Sequence, residues 1–424
     1  MNQNQISLGE KIIFILAGTA AAVIFFFFGI EYLFAADKND VTAADGTAFL
    51  YEEKGTGETG NEEPVHLGEN APTGEVVTPT PEPIPDTTVR ICMVGDLLLS
   101  QAVNDTCNDG EGNYDYNILF ENVSQRFQNY DLRIINEETA CGGTEYGISG
   151  YPSFNSPHSA QDAVANAGFN CVLLATNHML DLGLDPMFST VNYWNSVYPD
   201  IRTIGAYSSE EASNRITVYE KEGFRIAVLN YTYGSNGGDG SYYGVPWALD
   251  MLNEDDVYQD VLTAKSISDY VIVCPHWGTE MNGGIDEMQN YWASHFLEWG
   301  VDMVIGTHPH VIEPIELRTD DNGHQMIVFY SLGNFVSNQD DAAALVGGMA
   351  DITLRKTADG TVSVYDFGVI PIVTHKSNYF TAYFLADYSQ DMIDQSSSAI
   401  IDPEFSYEYC ENLVNSVFGD RIRQ

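Results

Sequence analysis

The chain is expected to fold as an α/β domain carried behind a single membrane-spanning helix and a disordered linker. Three observations predict this. Short apolar runs with strand character, at 89–94, 132–136, 170–175, 225–231, 269–274, 301–306 and 326–331, alternate with helix-length segments near 159–168, 186–196, 253–266 and 287–299. Far upstream, the run from Ile12 to Ile30 carries no charge. Between the two lies a stretch of Asp, Glu, Gly, Thr and Pro with too little apolar surface to bury.

Taken in chain order, the run Ile12–Ile30 comes first. At about 1.5 Å per residue it is long enough to cross roughly 30 Å of hydrocarbon. Lys11 is the only basic residue before it and an acidic stretch follows, which orients the N-terminus inside and everything after Leu33 outside. A cleaved signal peptide ending at Ala35-Ala36 is the competing reading. The apolar run is longer than a signal core and lacks a good small-x-small cleavage site, so an uncleaved anchor over residues 1–36 is favoured. The protein is then a single-pass cell-membrane protein with its domain on the extracellular side. Residues 37–88 read as a tether, and Thr78-Pro79-Thr80-Pro81-Glu82-Pro83-Ile84-Pro85 within it favours extended polyproline backbone.

The domain is expected over 89–375, with 376–424 as a C-terminal extension packing on it. Its later part, Ile352–Leu354 and Val362–Val373 around the turn Asp359-Gly360, alternates in the manner of antiparallel hairpins that either close the sheet or form a second layer. Cys92, Cys171 and Cys274 sit inside apolar runs as small hydrophobes, whereas Cys107 and Cys141 leave two states open, a disulfide or free thiols. The 61 acidic residues against 17 basic ones give a formal charge of -44. That balance excludes a nucleic-acid partner, since phosphates need Lys and Arg to neutralise them.

Histidine is scarce, nine in 424 residues, yet three fall in two clusters that each follow an apolar run: His276-Trp277-Gly278-Thr279-Glu280 and Gly306-Thr307-His308-Pro309-His310. Gly95-Asp96, Asn136-Glu137-Glu138 and Asn177-His178 follow three other runs in the same way. In an open sheet the ligand crevice lies outside the strand ends, where loops from distant segments meet. Carboxylate oxygen from Asp96 and Glu138, amide oxygen from Asn136 or Asn177, and imidazole nitrogen together suit Mn, Fe, Zn or Mg. His308 and His310 are two apart, so in extended backbone their rings project to one side and reach one ion or two adjacent ions. Taken singly, Asn177 reads as a helix cap and His276 as a buried loop histidine. The His-x-His pair shifts His276 toward ligation. By adjacency alone, Glu280 and Asp181 are placed to orient His276 and His178 through their second ring nitrogens. Trp277 packs beneath, and Tyr330-Ser331-Leu332-Gly333-Asn334-Phe335 reads as a structural strand end.

The ordered series Gly95-Asp96, Asn136-x-Glu138, Ala175-Thr176-Asn177-His178-Met179-Leu180-Asp181-Leu182-Gly183, His276-Trp277-Gly278-Thr279-Glu280, Gly306-Thr307-His308-Pro309-His310-Val311 and Tyr330-Ser331-Leu332-Gly333-Asn334-Phe335 resembles the CapA (PgsA) family over about residues 89–340. That family is the membrane-anchored component of poly-γ-glutamate capsule synthesis, with a domain related to the calcineurin-like metallophosphoesterases. The resemblance implies a metallophosphoesterase-like four-layer α/β/β/α sandwich. It also implies one or two divalent ions on Asp96, Glu138, Asn177, His276, His308 and His310, with His178 as proton donor and Asn136, Asp181 and Glu280 in support. The chain departs from the metallophosphoesterases at Leu98, where they carry a histidine two after the aspartate. Three functions follow as expectations: synthesis, export or anchoring of an anionic polymer beside synthase subunits, a surface metallohydrolase of phosphate esters or amides, or a non-catalytic scaffold.

Overall fold

The computed structural model describes residues 48–53, 86–397 and 402–424. The expected anchor Ile12–Ile30 and most of the expected tether lie outside these. Among the described residues no helix is long and apolar enough to cross a membrane.

Fifteen strands are described: β1 (Ala48–Glu53), β2 (Thr87–Leu97), β3 (Leu132–Glu137), β4 (Cys171–Leu173), β5 (Arg202–Ile204), β6 (Arg215–Lys221), β7 (Phe224–Thr232), β8 (Tyr270–His276), β9 (Met303–Ile305), β10 (Ile315–Thr319), β11 (Gln325–Phe329), β12 (Asn334–Val336), β13 (Val346–Lys356), β14 (Val362–Lys376) and β15 (Phe380–Phe384). They form two mixed sheets. One has seven strands in the order β1-β6-β7-β8-β9-β11-β10; the other has eight, ordered β15-β14-β13-β2-β3-β4-β5, with β12 paired to β2. Within each, a parallel core runs through strands that the alternation pattern picked out, β2, β3 and β4 in one, where β5 adds a parallel strand the pattern did not mark, and β7, β8, β9 and β11 in the other.

These cores are near-continuous apolar sequences because both faces of each strand are covered. Side chains at alternate positions go to different cores. On β2, Val89, Ile91 and Met93 pack between the sheets against Ile226, Val228, Ile272 and Met303. Cys92 and Val94 face the opposite way, onto Val103, Val164, Val191 and Trp194 of the helices Gln101–Cys107, Ser159–Ala167 and Leu184–Val197. The other sheet's outer face, with Ala227, Val271, Val273 and Val328, is covered by Val257, Val261, Trp292 and Phe296 of the helices Glu254–Ile267 and Glu287–Trp299. Three cores between four layers result. Each fully buried aliphatic or aromatic side chain contributes about 1.5–3 kcal/mol toward holding them together.

Helix ends fall where sequence chemistry places them. Asp286 and Gln289 form a reciprocal capping box at the start of Glu287–Trp299, and Gly300 closes it with a φ of 78°. Asn253 caps Glu254–Ile267, whose first turn is acidic.

Several expectations need correction. Ala48–Glu53, placed by composition within the tether, is a strand paired antiparallel to β6 along the edge of the seven-stranded sheet. Its Ala-Phe-Leu-Tyr run has strand propensity that an average over the whole tether hides. The sheet also does not stop at residue 375: β14 continues to Lys376, and β15 beyond it pairs with β14. Residues 346–384 extend the eight-stranded sheet rather than form a separate layer. Farther on, helix Tyr407–Phe418 packs Cys410, Val414 and Phe418 into the core between the sheets. Cys107 and Cys141 are buried free thiols, as are the other four cysteines.

Candidate metal centre

The predicted ligands gather at the C-terminal ends of the parallel strands, where both sheets open onto one rim. Asp96 ends β2. Its N–H donates to Gly333 O at 3.0 Å, an approach close enough that a Cβ on Gly95 would lie 1.8 Å from that same oxygen. Only glycine fits there. Asn136 lies at the end of β3 in register with Asp96, and Glu138 follows. Asn177 and His178 come from the loop after β4, His276 from the end of β8, and His308 and His310 from the loop after β9. All of these side chains are buried, Asp96, Glu138 and His276 completely.

Distances define one cup. His310 Nδ1 is 3.3 Å from Asp96 Oδ2, and its Nε2 is 3.6 Å from Glu138 Oε1. His276 Nε2 lies 3.7 Å from Glu138 Oε1 and 2.9 Å from Asn177 Oδ1. Three triads of ligand atoms, each mutually within 4.8 Å, arise from these loops: Glu138 with His276 and His308, Asp96 with Glu138 and His310, and Glu280 with His308 and His310. The structure thus brings together all six expected ligands.

The supporting residues are placed less uniformly. Asp181 Oδ2 accepts from His178 Nδ1 at 2.8 Å, the arrangement adjacency suggested. Asn136 Nδ2 donates to Asp96 Oδ1 at 2.8 Å and approaches His276 Nδ1 at 3.5 Å, so its amide orients a carboxylate. Glu280 does not serve His276. That ring is engaged by the Thr307 hydroxyl at Nδ1, 3.0 Å away, and by Asn177 at Nε2. Glu280 is exposed and stands beside His308 and His310 instead. Nor is the His-Pro-His segment extended: φ is 100° at His308 and 62° at His310. The rings meet by a left-handed turn, with centroids 5.9 Å apart, rather than by strand alternation.

Four contributors escaped the sequence reading. Asn334, in the segment taken as structural, accepts from His310 Nδ1 at 3.0 Å and donates to His310 O at 3.1 Å. Thr307 holds His276. Tyr233 lays its ring 4.5 Å from that of His308, and Asn236 Nδ2 comes within 3.5 Å of His178 Nδ1. A polar residue at a buried strand end was the available signal for Asn334 and Thr307. Nothing local marked Tyr233 or Asn236.

The electrostatics divide the histidines. Burial, reinforced by neighbouring imidazoles, holds His276 well below its ordinary value and pushes His308 down to about 3, so both rings are neutral. Burial also acts against charge on His310, but the Glu138 and Asp96 carboxylates outweigh it and raise that pKa. For His178, burial is overcome by the Asp181 hydrogen bond and the Glu138 charge. Glu138 itself is raised by desolvation, and neither of its oxygens has a hydrogen-bond partner. His308 Nδ1 and Asn136 Oδ1 are likewise buried without partners. Orphaned buried acceptors cost about 1–3 kcal/mol each. Hard oxygen and borderline nitrogen donors left unsatisfied around one cup are what a divalent cation fits.

The chain is similar to known proteins over this region. It is 31% identical over 210 residues to the PGA biosynthesis protein CapA of Bacillus subtilis (strain 168), covering 49% of this chain and 52% of that one. It is 29% identical over 259 residues to the capsule biosynthesis protein CapA of Bacillus anthracis, covering 59% of this chain and 60% of that one. The chain therefore matches little more than half the length of these relatives. Among solved structures, a phosphatase of Mycoplasma pneumoniae aligns with a TM-score of 0.41 at 14% identity, covering 68% of this chain and 94% of the other. The NAD nucleotidase of Haemophilus influenzae aligns at 0.40 and 10%, covering 80% and 64%. The model of the bacterial capsule synthesis protein PGA_cap matches residues 90–339, a span holding every expected ligand from Asp96 to His310, and the chain belongs to that family.

Proposed function

We propose that this protein acts in the synthesis, export or anchoring of poly-γ-glutamate, through a divalent-metal centre that performs hydrolytic chemistry on a phosphate ester or amide. In this reading residues 12–30 anchor the chain in the cell membrane, the domain lies on the extracellular side, and polymer synthase subunits are its neighbours. The family membership supports the capsule role, and both curated relatives carry it in their names. The observation that carries the metal centre is Glu138: a fully buried carboxylate with two unpartnered oxygens, ringed by His276, His308 and His310.

Asp96, Glu138, Asn177, His276, His308 and His310 would hold one or two ions drawn from Mn, Fe, Zn or Mg. Bound there, such an ion supplies a Lewis acid and lowers the pKa of its water to about 7. The chain's own residues do the rest. Asp181 accepts from His178 Nδ1, which orients the ring and favours its charged form, leaving Nε2 as the nitrogen that would give a proton to a leaving group. Asn136 and His308 N–H hold the Asp96 carboxylate, at 2.8 and 3.2 Å, and Thr307 and Asn334 hold His276 and His310. Burial of the whole ligand set excludes bulk water from all but its outer side.

The test uses the full-length protein in detergent, loaded with Mn²⁺ and offered poly-γ-glutamate and bis(p-nitrophenyl) phosphate. Stoichiometric metal with turnover that falls about a hundredfold or more in His178→Ala, metal content unchanged, is the expected result. Metal without turnover of either substrate would remove the hydrolytic step, and protein that binds no metal would remove the centre.

A further inference from the structure

The carboxylate of Glu280 occupies a position that support of His276 does not explain. Hydrogen bonds between two loops put it there. Trp277 N donates to Thr307 O at 3.0 Å and Met281 N to Pro309 O at 2.9 Å, so the chain on both sides of Glu280 is fastened along the His-Pro-His segment. Gly278, with φ of 90°, turns the loop over that segment. A side chain at Gly278 would be strained there and would meet Gln289 at 2.8 Å. Thr279 is tied to the capping aspartate of the next helix, Oγ1 to Asp286 Oδ2 at 2.8 Å. Glu280 is therefore held over the two imidazoles by its backbone on either side while its side chain reaches solvent.

A Glu280 oxygen and one ring nitrogen from each of His308 and His310 lie mutually within 4.8 Å. Two ligands on opposite sides of one ion are about 4.2 Å apart at typical bond lengths, a gap that rotation of an exposed glutamate closes. A second observation points to a cation here. His308 is 2% exposed, and its Nδ1 has no hydrogen-bond partner. The two carboxylates that bracket these imidazoles differ sharply, since Glu138 is fully buried whereas Glu280 is exposed.

We infer that Glu280 is a metal ligand, holding with His308 and His310 an outer divalent ion on the solvent side of the cup, separate from the ion on the buried side with Glu138. The inference rests on the metal centre proposed above and adds to it a second ion of different character. One carboxylate and two imidazoles suit Mn, Fe or Zn. With an exposed ligand this ion exchanges readily, while the inner one is shielded.

Mn²⁺ titration of the full-length protein in detergent, followed by elemental analysis and electron paramagnetic resonance, tests this. The expected result is two ions per chain, the second bound at least tenfold more weakly, with the spectrum of a spin-coupled pair. Glu280→Gln then retains one ion at near wild-type affinity and shows an isolated Mn²⁺ signal. Glu287→Gln, on an exposed acid of the neighbouring helix, keeps both. Two ions surviving in Glu280→Gln, a wild-type chain that binds only one ion with affinity unchanged by the substitution, or equal loss in Glu287→Gln would each overturn the outer site while leaving the inner one standing. A wild-type protein without any ion would overturn the metal centre itself.

Discussion

The two sheets contribute different chemistry to the cup. The eight-stranded sheet brings oxygen and amide groups, Asp96, Asn136, Glu138 and Asn177; the seven-stranded sheet brings nitrogen, His276, His308 and His310. Each half is incomplete. The oxygen half alone is a set of buried carboxylates with unmet acceptors, and the nitrogen half alone is a set of imidazoles of which two are held neutral by burial. The candidate centre is complete only where the sheets pack face to face, so the core between them is part of the site's construction.

The strongest way to break this pairing is at the carboxylate shared by two of the triads. Glu138→Gln is expected to weaken Mn²⁺ binding by about two orders of magnitude or more, since even loss of an outer-shell partner costs about 10–100-fold. The same substitution is expected to destabilise the metal-free fold by roughly 3 kcal/mol, because the buried His310 ring loses the carboxylate 3.6 Å from its Nε2. Titration and thermal unfolding in chelator check the two signs together. Next in size, Asp181→Asn leaves an acceptor at His178 Nδ1 but removes the negative charge beside it, and is expected to lower phosphodiester turnover about tenfold, with metal content unchanged. On the nitrogen side, Thr307→Val takes the hydroxyl from His276 Nδ1 and is expected to cost roughly threefold to tenfold in Mn²⁺ affinity.

The smallest effect concerns Glu313, which lies behind the histidine loops and accepts from Gln289 Nε2. Burial raises its pKa from 4.5 to about 8. Between those values the folded protein keeps the proton that the unfolded chain gives up. Stability from this group is therefore fullest below 4.5 and is lost as pH rises toward 8. Glu313→Gln is expected to flatten that loss, narrowing the melting-temperature difference between pH 5 and pH 8 by about 2–4 °C.

The parallel strands and the ligands at their ends were legible because both follow from local patterns: an apolar run long enough for one strand, then a metal-competent side chain. The flanking elements were not. β5 is only three residues long, and β1 hides in a compositionally polar stretch. Within the site, Asp96, Glu138 and the histidines declared themselves by residue type. Asn334, Thr307 and the position of Glu280 did not, because hydrogen bonds between loops distant in sequence set them. The same long-range ties turned His308 and His310 out of the extended backbone that their spacing suggested.

That left-handed turn bears on how fast the centre can fill. Non-glycine residues at positive φ cost of order 1–3 kcal/mol each and persist only where surroundings over-determine them. Here Met281 N on Pro309 O and Asn334 Nδ2 on His310 O do so without any cation. The conformational cost is met when the chain folds, not when an ion arrives. Uptake is then governed by how quickly each ion sheds its own water, and the order of loading rates among Mn²⁺, Zn²⁺ and Mg²⁺ is expected to follow their exchange lability in solution.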